Sequence, residues 1–114
     1  MVRLVILCVV LFALGVLAIA RTSATSVNIV NNSNRAIVNV YLSHVGADDW
    51  GGNQLGNSTI APGGSFSLNN VAWDQQQVKI IAEDQDGCFE SAVVTCDTNS
   101  SWTITSDTAR DCGQ

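Results

Sequence analysis

Ala36-Ile37-Val38-Asn39-Val40-Tyr41-Leu42-Ser43 alternates, with Ala36, Val38, Val40 and Leu42 on one face and Ile37, Asn39, Tyr41 and Ser43 on the other. A period of two is that of a β-strand with one buried face. Upstream, Val27 to Val30 is a shorter apolar run, separated from the first by Asn31-Asn32-Ser33-Asn34. Those side chains favour turns and left-handed conformations, so the two runs read as a hairpin. Downstream, Pro62-Gly63-Gly64 breaks the chain, after which Phe66 and Leu68 alternate with Ser65, Ser67 and Asn69. Val78 to Glu83 and Cys88 to Cys96 read as strands joined through Asp84-Gln85-Asp86-Gly87, where Asp-Gly supplies the positive φ of a tight turn. Trp102 to Thr108 is the last strand. From residue 21 onward no stretch has helical spacing, so the expected fold is all-β, a small single-domain β-sandwich of about six to seven antiparallel strands, with an open barrel as the alternative.

The first twenty residues are set apart by composition. Met1-Val2-Arg3 carries one positive charge and leads into an apolar run from Leu4 to Ala20, which ends in Ala18-Ile19-Ala20. A charged start, an apolar middle and small residues at alternate positions before a cut are the parts of a secretory signal peptide. Residues 1–20 are therefore expected to be a signal peptide cleaved after Ala20, with a cut after Ala24 as the alternative, leaving residues 21–114 as the domain. A retained membrane anchor is the competing reading, since the run is just long enough to span a bilayer. Only Arg21 follows it, where an anchor would have a basic cluster.

From residue 21 the chain has four basic residues, Arg21, Arg35, Lys79 and Arg110, against all ten acidic ones, a net charge of −6. Such a charge makes nucleic acid and anionic membrane surfaces poor partners and leaves cations as candidates. Cys88, Cys96 and Cys112 remain beyond the leader, and in an oxidising compartment two are expected to pair. If the last two strands form a hairpin turning at Asp97 to Ser101, Cys88 falls opposite residues 110 to 112, which favours Cys88–Cys112 and leaves Cys96 as a buried thiol. Cys96–Cys112 is the alternative. The spacings are not those of a zinc site, and His44 is the only histidine.

Two loops could carry function. His44 to Gly56 is long and polar, and holds Trp50 with Asp48, Asp49, Asn53 and Gln54. Trp50, Asp49 and Asn53 are the candidate ligand-binding residues, with Trp50 either a stacking platform or a ring turned inward to cover the core. Asp48 and Asp49, with Asp84 and Asp86 of the second turn, are the candidate oxygen ligands for calcium or another hard cation; no other cofactor is expected. The Asp84-Gln85-Asp86-Gly87 turn opens like a calcium loop but lacks the distal glutamate of an EF-hand.

Ile29-Val30-Asn31-Asn32-Ser33, followed by Ile37, Val40-Tyr41-Leu42-Ser43, Asp49-Trp50-Gly51, Leu55-Gly56 and Pro62-Gly63, resembles a family of small exported bacterial proteins often labelled Tat pathway signal proteins. The resemblance implies a small periplasmic or secreted β-sandwich and no known activity. The leader departs from it in lacking paired arginines, and no cysteine stands between Trp73 and Gln77, where such proteins often carry one upstream of the position matched by Cys96. Three classes of function follow. The leading one is an interaction or structural module that binds an unknown protein or surface ligand through the Trp50 loop or a sheet edge. The alternative is a cation-binding domain. An enzyme is not expected, since a serine or cysteine nucleophile would have only His44 as its base.

Overall fold

The computed structural model describes residues 25–96 and 99–113. The expected signal peptide, 1–20, both of its cleavage sites, and Asp97 and Thr98 of the expected last turn lie outside the described residues. Six strands run β1 Thr25–Asn32, β2 Ile37–Ser43, β3 Ser65–Val71, β4 Gln77–Asp84, β5 Phe89–Thr95 and β6 Asn99–Thr105. They form two three-stranded sheets, ordered β3-β1-β6 and β2-β4-β5. The fold is the all-β sandwich that the alternation predicts.

The inner faces meet in one apolar core, in which Val27, Ile29, Leu68, Trp102 and Ile104 of the first sheet pack with Val40, Leu42, Val78, Ile80 and Ala82 of the second. Leu55 and Ile60 join it from the long connection between β2 and β3. Alternation along β2 breaks once. A register shift between Ile37 and Asn39 turns Ile37 inward, fully buried, and leaves Val38 only half-buried, so the face predicted for these two residues is reversed. A bulge of this kind moves every residue beyond it to the other face, and period-two reading has no way to register it.

The pairing differs from the expected hairpins in two places. β1 and β2 lie in different sheets, so Asn31 to Arg35 is an arch between layers. β5 and β6 are likewise divided, and β6 instead runs parallel to β1, Ile29 opposite Trp102. The β4–β5 hairpin is as expected. Asp84 N–H bonds the Cys88 carbonyl at 2.9 Å around a turn in which Gly87 has φ 81°, a conformation glycine adopts without strain. At Ala61-Pro62-Gly63-Gly64 the Gly64 N–H closes on the Ala61 carbonyl at 2.8 Å with Gly63 at φ 84°, as a Pro-Gly turn requires.

Cys88 and Cys112 form a disulfide. The pair is the one expected, although the hairpin that suggested it is absent. After β6 the chain returns to β5, where Phe89 and Asp111 exchange backbone hydrogen bonds at 2.8 Å and bring the two cysteines together. Such a cross-link fits an oxidising compartment. Cys96 is half-buried against the core. No helix among the described residues is long and apolar enough to cross a membrane.

Candidate functional site

At the Ser43 end of β2 the edges of the two sheets part around a cleft of about 400 Å³. Leu42 of β2 with Leu68 and Val71 of β3 form its floor, continuous with the core, while Gly51 and Gln54 of the long loop and Asn69, Ala72 and Trp73 form its walls. His44 and Asp49 stand at the rim.

His44 is held on three sides. Its Nδ1 lies 2.6 Å from Asp49 Oδ2, its Nε2 lies 2.8 Å from Asp74 Oδ1, and its ring stacks on Trp73 with centroids 4.4 Å apart. A neutral imidazole has a single N–H, so both contacts are hydrogen bonds only in the imidazolium form. The bonds to Asp74 and Asp49 raise the His44 pKa accordingly. Asp49 also accepts the His44 backbone N–H and the Ser43 hydroxyl, each at 2.9 Å. The His44 N–H, then the ring and Ser43, bring its carboxyl down to about 2. The bond to His44 lowers Asp74. The single proton of the Ser43 hydroxyl has Asp49 and the Ala47 carbonyl as acceptors at 2.9 Å, and the His44 ring is not among its partners, so the serine and histidine are not arranged as nucleophile and base.

A second cluster lies between the sheets at the other end of β2. Asp84 and Glu90 both point inward and are about 1% exposed. Arg110 Nε donates to Asp84 Oδ2 at 2.9 Å and its second nitrogen reaches Asp86 at 3.1 Å, while Arg35 Nε stands 3.4 Å from Asp84. Burial alone would raise the Asp84 carboxyl; Arg110 and the N–H groups of Cys88 and Asp86 outweigh it and hold it below the usual range. Neither Glu90 oxygen has a hydrogen-bond donor, and Arg110 Nε and Arg35 Nη2 reach its Oε2 only as ion pairs at 3.7 and 4.0 Å. Burial first, then Asp84, pushes it up to about 7. With Glu90 neutral, two guanidinium groups face two carboxylates, Asp84 and Asp86, and the cluster is balanced.

The residues singled out from sequence fall in four places. Asn53 serves the backbone, accepting from Val40 and Leu55 N–H and donating to the Gly56 carbonyl. Trp50 does not plug the core. Its ring, 40% exposed, lies on the outer face of the second sheet and bridges Tyr41 of β2 and Phe89 of β5, each at 5.3 Å. Between them runs β4, whose Ile81, opposite Tyr41, is buried on that outer face. Asp48 and Asp49 share the cleft loop, and Asp84 and Asp86 belong to the arginine cluster at the far end. Among the described residues no three His, Cys, Asp or Glu side chains are grouped as a metal would need.

Trp73 and Asp74 are not marked out by the sequence as site residues. They share the pattern of Asp49-Trp50, an aromatic beside a carboxylate in a polar connection, but the connection is short and nothing in the sequence joins it to His44.

Comparison with known families finds no family model that matches, and no curated protein matches the chain either. A solved structure described as "NMR structure of the protein from Eubacterium rectale" aligns with 83% of this chain and 95% of its own, at 13% identity and a TM-score of 0.49.

Proposed function

We propose that the chain is an exported binding module without catalytic activity, of the kind its resemblance to small exported bacterial proteins implies, and that the cleft beneath His44 and Trp73 is its binding site. The observation that supports this is the lining of the cleft, where Leu42, Leu68 and Val71, nearly buried and part of the core, stand at its base beside a tryptophan and several polar groups. Concave apolar surface with a few convergent polar groups is what small-molecule and side-chain binding requires. The disulfide and the leader-like residues 1–20 support export to the periplasm or beyond.

The test is nuclear magnetic resonance of the disulfide-bonded protein with two neutral probes, indole and cyclohexanol. Shifts confined to the Trp73 indole N–H and the methyl groups of Leu42, Leu68 and Val71 support the reading when Ala72→Phe, which fills the cleft mouth, removes them. Shifts scattered elsewhere, or persisting in Ala72→Phe, overturn it. A calcium-dependent rise in melting temperature would favour instead a cation-binding reading, which the structure leaves to Asp48 and Asp49 alone, since Asp84 and Asp86 are paired with Arg110 at the far end of β2.

A further inference from the structure

We infer that Asp49, Asp74 and Trp73 form a recognition site for a guanidinium group, and that His44 is an internal stand-in for that group. The inference rests on the cleft reading and names the chemistry of its ligand.

The His44 arrangement brings little stability to the fold. The ring is about one-third exposed, and its partners Asp49 and Asp74 are 49% and 76% exposed. Ion pairs in such surroundings contribute little, because water competes and long-range charge is screened. What the arrangement displays is a recognition geometry. A flat, delocalised cation lies on an indole face and donates an N–H from each side to a carboxylate. Among side-chain cations the guanidinium shares all three properties: it is planar, it offers N–H donors in several in-plane directions, and it stacks on aromatic rings. An ammonium group is a compact and strongly hydrated point charge, so it matches only the two carboxylates.

The surroundings suit the rest of such a ligand. The cleft floor at Leu42 and Leu68 opens beside the clasp, where the methylene stem that carries a guanidinium would be covered. Facing His44 are Asp49 from its own loop and Asp74 from the β3–β4 connection. Asp48 precedes Asp49 in the chain, and Lys79 of β4 stands at the register position of Ser43. Arg35 and Arg110 are engaged at the far end of β2, so neither offsets the acidic rim. The net −6 of the domain favours the approach of a cation.

A stand-in that must be charged makes the site sensitive to protons. Below the His44 pKa the imidazolium holds the two carboxylates and competes with the ligand. Above it the ring loses one donor and releases one of them. Each pH unit below that pKa reduces the competent fraction, and therefore the apparent affinity, about tenfold. By reciprocity, a bound guanidinium lowers the pKa of His44.

The experiment titrates L-argininamide into the disulfide-bonded protein at pH 5 to 9, following the Trp73 indole N–H and the His44 ring signals. Affinity is expected to rise about tenfold per pH unit to the His44 pKa and to level above it. His44→Ala should bind at pH 5 at least as tightly as the wild type does at pH 9, where the neutral ring still holds one carboxylate and covers Trp73. His44→Gln, which keeps a donor in place without charge, should also lose the pH dependence, and Asp74→Asn should weaken binding at every pH. L-lysinamide should bind more weakly than argininamide. Wild-type binding that does not change with pH, undiminished binding by Asp74→Asn, or no binding by His44→Ala overturns the inference. A peptide with arginine between blocked glycines distinguishes the sources: tighter binding than argininamide assigns the ligand to a partner's arginine side chain, weaker binding to a free small molecule. Indole seated in the cleft with no response to argininamide would sink the guanidinium inference and leave the cleft reading standing. Argininamide at the clasp with no indole in the cleft would do the reverse.

Discussion

Asn31 is fully buried and uses its whole amide: Nδ2 donates to the carbonyls of Arg35 and Ile60 at 2.8 and 2.9 Å, and Oδ1 accepts from the Ser33 hydroxyl and N–H. Its own N–H and carbonyl also bond Gly64 and Gly63, so this one residue ties the β1–β2 arch to the turn before β3. Asn31→Ala removes the amide's bonds to the Arg35 and Ile60 carbonyls and to Ser33, each a net contribution of about 1 kcal/mol, and should lower stability by about 3 kcal/mol in urea unfolding. An unchanged midpoint would mean that the arch is held by its backbone bonds alone. Trp50 calls for a smaller figure. Its ring packs on Tyr41 and Phe89 with part of its surface in water, so Trp50→Ala should cost about 2 kcal/mol, short of the 3–5 for a fully buried aromatic. Loss on the full scale would show that the ring carries more of the fold than its exposure implies. Both residues drew notice in the sequence, Asn31 as a turn former and Trp50 as an aromatic in a polar loop. Their roles did not, because the partners of Asn31 near position 60 and of Trp50 near position 89 are brought to them only by the assembled sheets.

At the scale of elements, what the sequence made legible was local. Alternation marks the strands, Asp-Gly marks the β4–β5 turn and Pro-Gly the turn before β3, since each depends on backbone preferences within a few residues. Whether two successive strands pair or cross between layers is not local. The Asn31 to Arg35 segment has the composition of a hairpin turn and forms an arch, because both β1 and β2 must bury one face and only the opposing sheet lets them bury it against each other. The return of the chain after β6 decides the disulfide in the same way. Cys112 reaches Cys88 through the Phe89–Asp111 bridge and carries Arg110 onto Asp84. Cross-link and counter-ion are thus seated by one segment. Cys112→Ser should therefore cost more than the roughly 3 kcal/mol of loop entropy for this spacing, because Arg110 loses its tether over a buried carboxylate. In Arg110→Gln the disulfide remains and the entropic part is kept, so a double-mutant cycle between the two substitutions should show coupling. Additive losses would mean that Arg110 finds Asp84 without the tether.

For the molecule as a whole, the buried cluster at the Asp84 end of β2 dominates how stability depends on pH and the exposed His44 cluster adds a smaller part, and their signs can be worked out separately. Glu90 has a folded pKa of about 7 against 4.5 for a free glutamate, so the folded state holds its proton more tightly. Its contribution is complete below about pH 4.5 and is lost as pH rises through about 7, a fall of about 3 kcal/mol. His44 acts in the same direction further along the scale, since its raised pKa gives stability that disappears as pH rises past that value. Asp49, brought to about 2, and Asp84, also lowered, act the other way, present above the usual aspartate range and lost as pH falls through their folded values. The sum is an optimum displaced to about pH 4–5, more acidic than the neutral range where many domains are most stable. The alkaline limb belongs mainly to one proton. When Glu90 ionises, Arg110 and Arg35 stand 3.7 and 4.0 Å from its Oε2 without a hydrogen bond and Asp84 lies beside it, so the cluster passes from balance to a net negative charge around two buried carboxylates. Glu90→Gln keeps a donor toward Asp84 and cannot ionise. It should match the wild type at pH 4.5, exceed it by about 3 kcal/mol at pH 8, and flatten the curve between. Urea unfolding of both proteins from pH 3 to 9 measures the two limbs together. Wild-type stability that climbs between pH 5 and 8, or a Glu90→Gln curve parallel to it, would show that Glu90 is ionised in the fold and that Arg35 and Arg110 neutralise it after all.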